Sequence, residues 1–304
     1  MQGVVLHHTD PIEDGPVLSA LRGAKGIDMH RLSPEACLAP VQQALGLGNA
    51  LTALYAGLNS PVQRADLLRA AILYSEGGVY LDLDTITVAS LTPLLDAVQF
   101  IGAEHIVWPH WVYGSRSPWV WAKHLGLDWL RKALRMIPGG WRIFRRLQDV
   151  YVEAVNNAVM GGEPGAPLFA DALRAMAVIP AGTPAGPYAF GPDLYQALLL
   201  EKDYPGLVVH MPACFYPFPP EISEHWFGFC RHAKPVLAEV LLPATRVVHW
   251  YGSVRNATRV ASISPDSVRA AAPRQLYSAL VLSSLPQLRG NMSQRKGDDS
   301  LAMF

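Results

Sequence analysis

The chain's 304 residues predict an α/β fold, on three observations. Short β-prone runs recur singly, at Val4–Leu6, 26–34 ("GIDMHRLSP"), Val79–Asp84, 100–104 ("FIGAE"), 206–211 ("GLVVHM") and 245–250 ("TRVVHW"). Between them lie segments with apolar residues at helical spacing, several opening on proline. Half of the residues are hydrophobic and only 16% are charged, enough apolar material for a large core. Isolated strands separated by helices indicate a sheet with crossover connections rather than hairpins. A single domain is expected over 1–285, with 286–304 a polar C-terminal tail that frays.

The elements follow in order. The first strand, Val4–Leu6, closes at "HHTDP", which puts His7 and His8 at the turn. Leu51, Leu54, Tyr55 and Leu58 fall at helical spacing and predict one helix over 41–58, stopped by "NSP". Pro61 suits a first helical turn, and the helix it opens carries Leu68, Ala71 and Ile72 on one face until Gly77-Gly78 ends it. A strand over 79–84 comes next. Residues 105–153 form a tryptophan-rich, basic insertion, and its stretch "WLRKALRMIPGGWRIFRRLQ" reads as two short surface helices broken at Pro138-Gly139-Gly140. "PLFADALRAM" (167–176) and "PDLYQALLLE" (192–201) are further helices opening with proline. Asn156 and Asn157 read either as caps or as polar groups with a binding role.

Charge and cysteine usage exclude several classes. With 25 basic and 25 acidic side chains the formal net charge is zero, so there is no general attraction to nucleic acid and no nucleic-acid partner is expected. Cys37, Cys214 and Cys230 lack CxxC or Cys/His ligand spacing, which argues against a disulfide scaffold or zinc module and for a reducing cytoplasm. No signal-peptide pattern and no membrane-spanning run is found. Between 129 and 146, six Lys/Arg with Trp129 and Trp141 raise the expectation of peripheral contact with the inner face of the membrane; a solvated basic face is the plainer meaning.

"RADLLRAAILYSEGGVYLDLD" (64–84) holds the chemistry. Strand alternation would place Tyr80, Asp82 and Asp84 on one face and Val79, Leu81 and Leu83 on the other. Converging carboxylates raise each other's pKa unless a cation neutralises them, and Mg²⁺ or Mn²⁺ prefers such oxygen ligands. An ion held this way completes its shell with water and substrate phosphate, so a phosphoester or diphosphate is the expected substrate. Asp66 and Arg69 share a face of the preceding helix, as a site for sugar hydroxyls or phosphate or as an ordinary surface pair.

The same segment resembles the DXD-motif region of the sugar-binding-region glycosyltransferases, a group that includes mannosyl- and α-1,4-galactosyltransferases and bacterial capsule enzymes. Their pattern is roughly "SDLLRYxxLYxxGGIYLDxD"; Asp66, Arg69, Gly77, Gly78, Tyr80, Asp82 and Asp84 match it, while Ala65 and Ala70 depart from it. Three later blocks extend the resemblance to about residue 255. These are "NNAVMGGEPGAPLF" (156–169), with Ala166 for the usual histidine, "AGPYAF" (185–190), and "VVHWYGSV" (247–254), with Val254 for a tryptophan.

The resemblance implies a GT-A fold, a Rossmann-like nucleotide-sugar-binding domain with a mixed, mostly parallel sheet. It also implies Mn²⁺ (or Mg²⁺) and transfer, with retention, from a UDP- or GDP-sugar to a glycan or lipid-linked acceptor in polysaccharide biosynthesis. By position, Asp84 would be the direct metal ligand, Asp82 would serve the metal's water shell or the ribose, and His249 would be a further ligand. Asp66, Arg69, Tyr80 and Asn157 would address the donor, and Trp250 and Ser253 would close on its diphosphate. Two rival readings stand beside this. "VYLDLDTITV" fits a haloacid-dehalogenase-type phosphatase loop with Asp82 as nucleophile and Asp84 as acid/base, although such loops lie near the N-terminus. A non-catalytic nucleotide-sugar-binding relative is the other, because the family's opening "IPxxIHxxW"-like strand is not found and "GVVLHH" corresponds to the second strand, leaving the base site truncated.

Overall fold

The computed structural model describes residues 3–12, 26–183 and 185–285 and a few isolated positions between 12 and 26; the tail expected at 286–304 lies outside the described residues. In chain order the helices and strands are β1 (Val4–His8), β2 (Ile27–Arg31), α1 (Pro34–Leu45), α2 (Ala50–Gly57), α3 (Pro61–Glu76), β3 (Gly78–Leu81), β4 (Thr85–Thr87) and β5 (Gln99–Ile106). They continue as α4 (His110–Gly114), α5 (Pro118–Met136), α6 (Trp141–Arg146), β6 (Val152–Gly162), α7 (Pro167–Ala177), α8 (Pro192–Glu201), β7 (Leu207–His210) and α9 (Pro212–Phe215). The last are α10 (Ala233–Val240), β8 (Val247–His249), α11 (Ala257–Ala261), α12 (Pro265–Ala271) and α13 (Leu276–Ser284). The fold is thus mixed α/β. The described residues form two compact units, one from the stretch up to Gly78 together with Gly162–Pro205, the other from Val79–Gly161 together with the stretch from Gly206 on.

In the first unit, β1 and β2 pair in parallel, His7 opposite His30. Both His7 and His8 are therefore strand residues, not turn residues as the sequence suggested. The helix expected over 41–58 is two helices. Gly46 and Gly48 take φ of 68° and 58°, and the Gly46 N–H bonds back to Gln42 and Gln43, which closes α1 before α2 begins. Gln42 then accepts from the Thr52 N–H at 3.0 Å and bridges the break. Helix α3 starts where the sequence placed it, with Ser60 capping Gln63 N and Pro61 in the first turn. It is buried on most sides, including Asp66, Leu67, Arg69 and Ala70.

Helix α3 stops because Gly77 adopts φ 70° and ψ −157°, a conformation only glycine takes readily. The same residue sits against the β6–α7 connection: a Cβ here would lie 2.7 Å from Pro164 Cδ and 2.8 Å from Gly162 O. The Gly165 N–H donates to Tyr74 O at 2.7 Å, tying that connection to the helix end.

In the second unit the strands do not form one sheet. A four-stranded sheet has the order β3-β6-β5-β7, with β5 and β7 parallel, and β4 pairs antiparallel with β8 in a separate ribbon. One core cluster lies on the sheet, with Phe100, Val159, Phe215, Tyr216 and Val247 buried and Val79 and Leu81 packed against it. A second surrounds Trp226, whose ring lies 4.6 Å from Phe218.

The insertion at 105–153 departs from expectation. Two helices separated at Pro138-Gly139-Gly140 are present as read, but the first, α5, runs 19 residues rather than being short. Several of its charges also face inward: Arg131 bonds Asp128 and Glu221, and Arg135 bonds Glu224 at 3.1 Å. Arg131 is consequently a half-buried ion-pair member, not part of a solvated basic face.

Candidate metal centre

The strand read over 79–84 ends at Leu81, and Asp82, Leu83 and Asp84 form a turn into β4. Alternation therefore holds for Val79 and Leu81, which are packed inward, and fails at Leu83, which is 86% exposed. The turn is pinned at both ends. Asp82 N donates to Ala158 O at 2.9 Å, and Thr85 Oγ1 donates to Asp82 O at 2.7 Å. The β4–β8 register sets Thr85 opposite His249, so Asp84 comes beside the residues that follow β8.

That register assembles the site. Oxygens of Asp82 and Asp84 and a ring nitrogen of His249 lie within 4.8 Å of one another. His249 Nε2 is 2.8 Å from Asp84 Oδ1, and Gly252 N donates to Asp84 Oδ2 at 2.7 Å. Burial opposes ionisation of Asp84, yet the hydrogen bond and charge of His249, aided by the Gly252 N–H, outweigh it and hold the carboxyl below its usual range. Asp82 accepts from Tyr80 Oη at 2.7 Å. Tyr80 thus orients a carboxylate.

The donor set suits a divalent cation. Two carboxylates and one imidazole are ligands that Mn²⁺ accepts more readily than Mg²⁺, which favours oxygen alone. The geometry fits this use: His249 turns Nε2 toward Asp84, and ligand atoms of the imidazole and both carboxylates lie within 4.8 Å of one another.

Behind the cluster lies a network that sequence reasoning did not find. Glu104, buried in β5, accepts from Asn156 Nδ2 at 2.8 Å and from Tyr251 Oη. Burial pushes its carboxyl up, against the pull of those two donors and of His249. Tyr216 Oη donates to Asn156, and the rings of Tyr216 and Tyr251 flank His249 at 5.8 and 4.0 Å. Tyr251 itself has φ 54°, unusual for a residue with a side chain. A backbone held there by buried contacts is consistent with a built site. The available signal was the acid in the otherwise apolar run "FIGAEHIV". Removing the tyrosine hydroxyl leaves one Glu104 oxygen buried without its donor, so Tyr251→Phe is expected to cost about 1–3 kcal/mol, read as a lowered thermal midpoint.

The remaining sequence candidates fall in different places. Asp66 and Arg69 form a buried pair at 3.3 Å in the first unit, not the surface pair that was the alternative reading. Tyr195, which sequence reasoning passed over, interacts with both, and its hydroxyl is buried without a hydrogen-bond partner. Asn156 and Asn157 are mid-strand residues in β6 and cap nothing; they point to opposite faces. Trp250 is packed against Phe227 and Tyr277, and Ser253 is exposed. Among the described residues all three cysteines are free.

An acidic turn completed by a histidine at the edge of an α/β sheet defines a candidate divalent-cation site. Residues 31–101, about a quarter of the chain, match the family model of the glycosyltransferase sugar-binding region containing DXD motif, and this segment is similar to the DXD-type sugar transferases. No curated protein and no solved structure matches the chain. Asp66, Arg69, Tyr80, Asp82 and Asp84 lie inside the matched segment; Asn157, His249, Trp250 and Ser253 lie beyond it.

Proposed function

We propose that the protein is a metal-dependent, retaining glycosyltransferase of GT-A architecture, moving a sugar from a UDP- or GDP-sugar to a glycan or lipid-linked acceptor on the cytoplasmic side. The observation that carries this reading is the convergence of Asp82, Asp84 and His249 around the DXD turn of the matched region. Mn²⁺ is the favoured ion because one donor is an imidazole. When bound, it would supply positive charge against the negative charge that develops on a departing nucleoside diphosphate.

The chain's own groups have separate tasks in this scheme. Asp84 enters the reaction already ionised, because His249 and the Gly252 N–H stabilise its charged form. Tyr80 holds Asp82 in orientation through its hydroxyl. Tyr251 packs on the His249 ring and is itself held by Glu104, to which Asn156 also donates. Asp66 and Arg69 are proposed as donor-sugar ligands, with a guanidinium fork for paired oxygens. Asn157 is proposed to address donor or acceptor, and Ser253 the diphosphate. Trp250, being packed into the core, serves as the platform for that loop. Retention at the anomeric carbon and assembly as one catalytic domain over 1–285 follow from the family resemblance.

The test is a donor screen: nucleotide sugars are incubated with protein and Mn²⁺, and release of UDP or GDP is followed. Turnover of at least one donor, abolished by EDTA, is expected. Binding of UDP or GDP with Mn²⁺ in a calorimeter but no turnover of any donor would favour the non-catalytic reading. Cleavage of p-nitrophenyl phosphate that disappears in Asp82→Asn would favour the phosphatase reading.

A further inference from the structure

Helix α5 buries Leu127 and Leu134 in the core as an amphipathic surface helix does, but it also turns several charges inward and large apolar side chains outward. Asp128, Arg131 and Arg135 are turned to the protein and paired there, with Trp108 Nε1 also donating to Asp128 at 3.3 Å. Trp119, Leu125, Trp129 and Met136 are turned out, 84, 47, 72 and 84% exposed. At 3.6 residues per turn Trp119, Trp129 and Met136 fall within an arc of about 100° over a length of about 26 Å. Small residues stand between them, so these three side chains project alone. The exposed side also carries Lys123 and Lys132, the latter bonded to Asp128 at 2.6 Å, and the helix has no other carboxylate.

The end of this face runs into a cavity of about 560 Å³. Its lining includes Met136, Ile137, Trp141 and Val236 together with Arg135, Arg142, Arg231 and Arg259. Its one carboxylate, Glu224, is already bonded to Arg135 and Arg255, and Arg142 is paired with Glu239, so Arg231 and Arg259 supply most of the recess's remaining positive charge. An apolar stripe thus borders a cationic recess, with Phe229 71% exposed at the rim.

We propose that this face of α5 lays the protein on a bilayer rich in anionic phospholipid. Trp119, Trp129 and Met136 enter the boundary between headgroups and acyl chains, and the arginine-lined recess faces lipid phosphates. Charge separates this occupant from a second copy of the chain. Self-packing of the face would bring Lys123 of two copies together, and the one acid of the helix, Asp128, is already engaged by Arg131 and Lys132. An anionic bilayer complements both the stripe and the recess. The docking face is therefore 118–137 and its adjoining cavity, rather than the basic run over 129–146 that the sequence suggested. Among the described residues no helix is long and apolar enough to cross a membrane, so the contact proposed is with the surface.

This proposal does not rest on sugar transfer, and its test does not use it. The full chain is sedimented with vesicles of phosphatidylcholine alone or with about one third phosphatidylglycerol, at low and high salt. Binding to the mixed vesicles is expected, weakened by salt and reduced at least about tenfold in the double variant Trp119→Ser, Trp129→Ser. Both side chains are exposed, so an unchanged thermal midpoint should accompany the loss; Lys123→Glu with Arg231→Glu provides a second variant with the same expected direction. Three results would overturn the proposal: no sedimentation with either vesicle at low salt, binding that survives both double variants, or a dimer in solution that the tryptophan substitutions dissociate.

Discussion

Asp84→Asn is expected to lower donor turnover by about 10³-fold while leaving the protein folded. The substitution preserves shape. An amide oxygen can still accept from the Gly252 N–H, and the amide nitrogen can face His249 Nε2 in the tautomer that accepts. Only the charge is removed, and with it a ligand placed between Asp82 and His249. The fold should register a smaller change whose sign follows from the depressed native pKa of Asp84. Its ionised form is favoured by folding, so the wild-type advantage over Asp84→Asn is present above the ordinary carboxylate range. It is lost as pH falls through the lowered native value. Turnover and thermal midpoints of the two proteins across that pH range check both statements. An active Asp84→Asn protein would remove Asp84 from the site.

Gly77→Ala is expected to cost about 3 kcal/mol or more, the largest effect of a single methyl group foreseen here. Two penalties add at this position. The φ of 70° with ψ −157° is a conformation that any residue with a Cβ resists, and the new methyl group would meet Pro164 Cδ, Gly162 O and Pro164 N, all within 3 Å. Two of these three atoms are backbone, so relief requires the β6–α7 connection to move. That would break the bond from Gly165 N to Tyr74 O, which holds the end of α3. Gly78→Ala is the control: it also has positive φ, at 95°, but its Cβ would enter open space. Chemical denaturation should place Gly77→Ala well below Gly78→Ala. Equal losses would mean that backbone strain alone, and not the close approach, explains the pair.

Local signals carried much of the architecture. The proline-opened helix over 192–201 has the bounds its sequence suggests, and Gly77 stops α3 as a glycine pair should. Periodicity failed where glycine conformation decided the outcome, at Gly46 and Gly48, because apolar spacing continues across a break that only φ reveals. The acidic pair was legible as a candidate cation site, but for an incomplete reason. Alternation along one strand would have aligned the carboxylates. Instead they converge through a turn, and the third group arrives because β4 pairs with β8, bringing together residues 165 positions apart.

Long-range pairing also explains what was missed. Glu104 and Tyr251 meet across 147 positions, and neither belongs to a spaced motif. The inward charges of α5 escaped notice for a related reason. A basic run with one acid reads as a solvated face unless the carboxylates of Glu221 and Glu224, some ninety positions away, are known to face it.

Manganese binding, followed by the paramagnetic resonance signal of free Mn²⁺ during titration with protein, tests the central claim most directly. One ion per chain should be withdrawn from solution by the wild type. Asp84→Asn and His249→Ala should each leave most of the signal in place, and adding UDP or GDP should tighten the wild-type titration. Undiminished uptake by both variants, or none by the wild type even with nucleotide, would contradict a cation held by Asp82, Asp84 and His249.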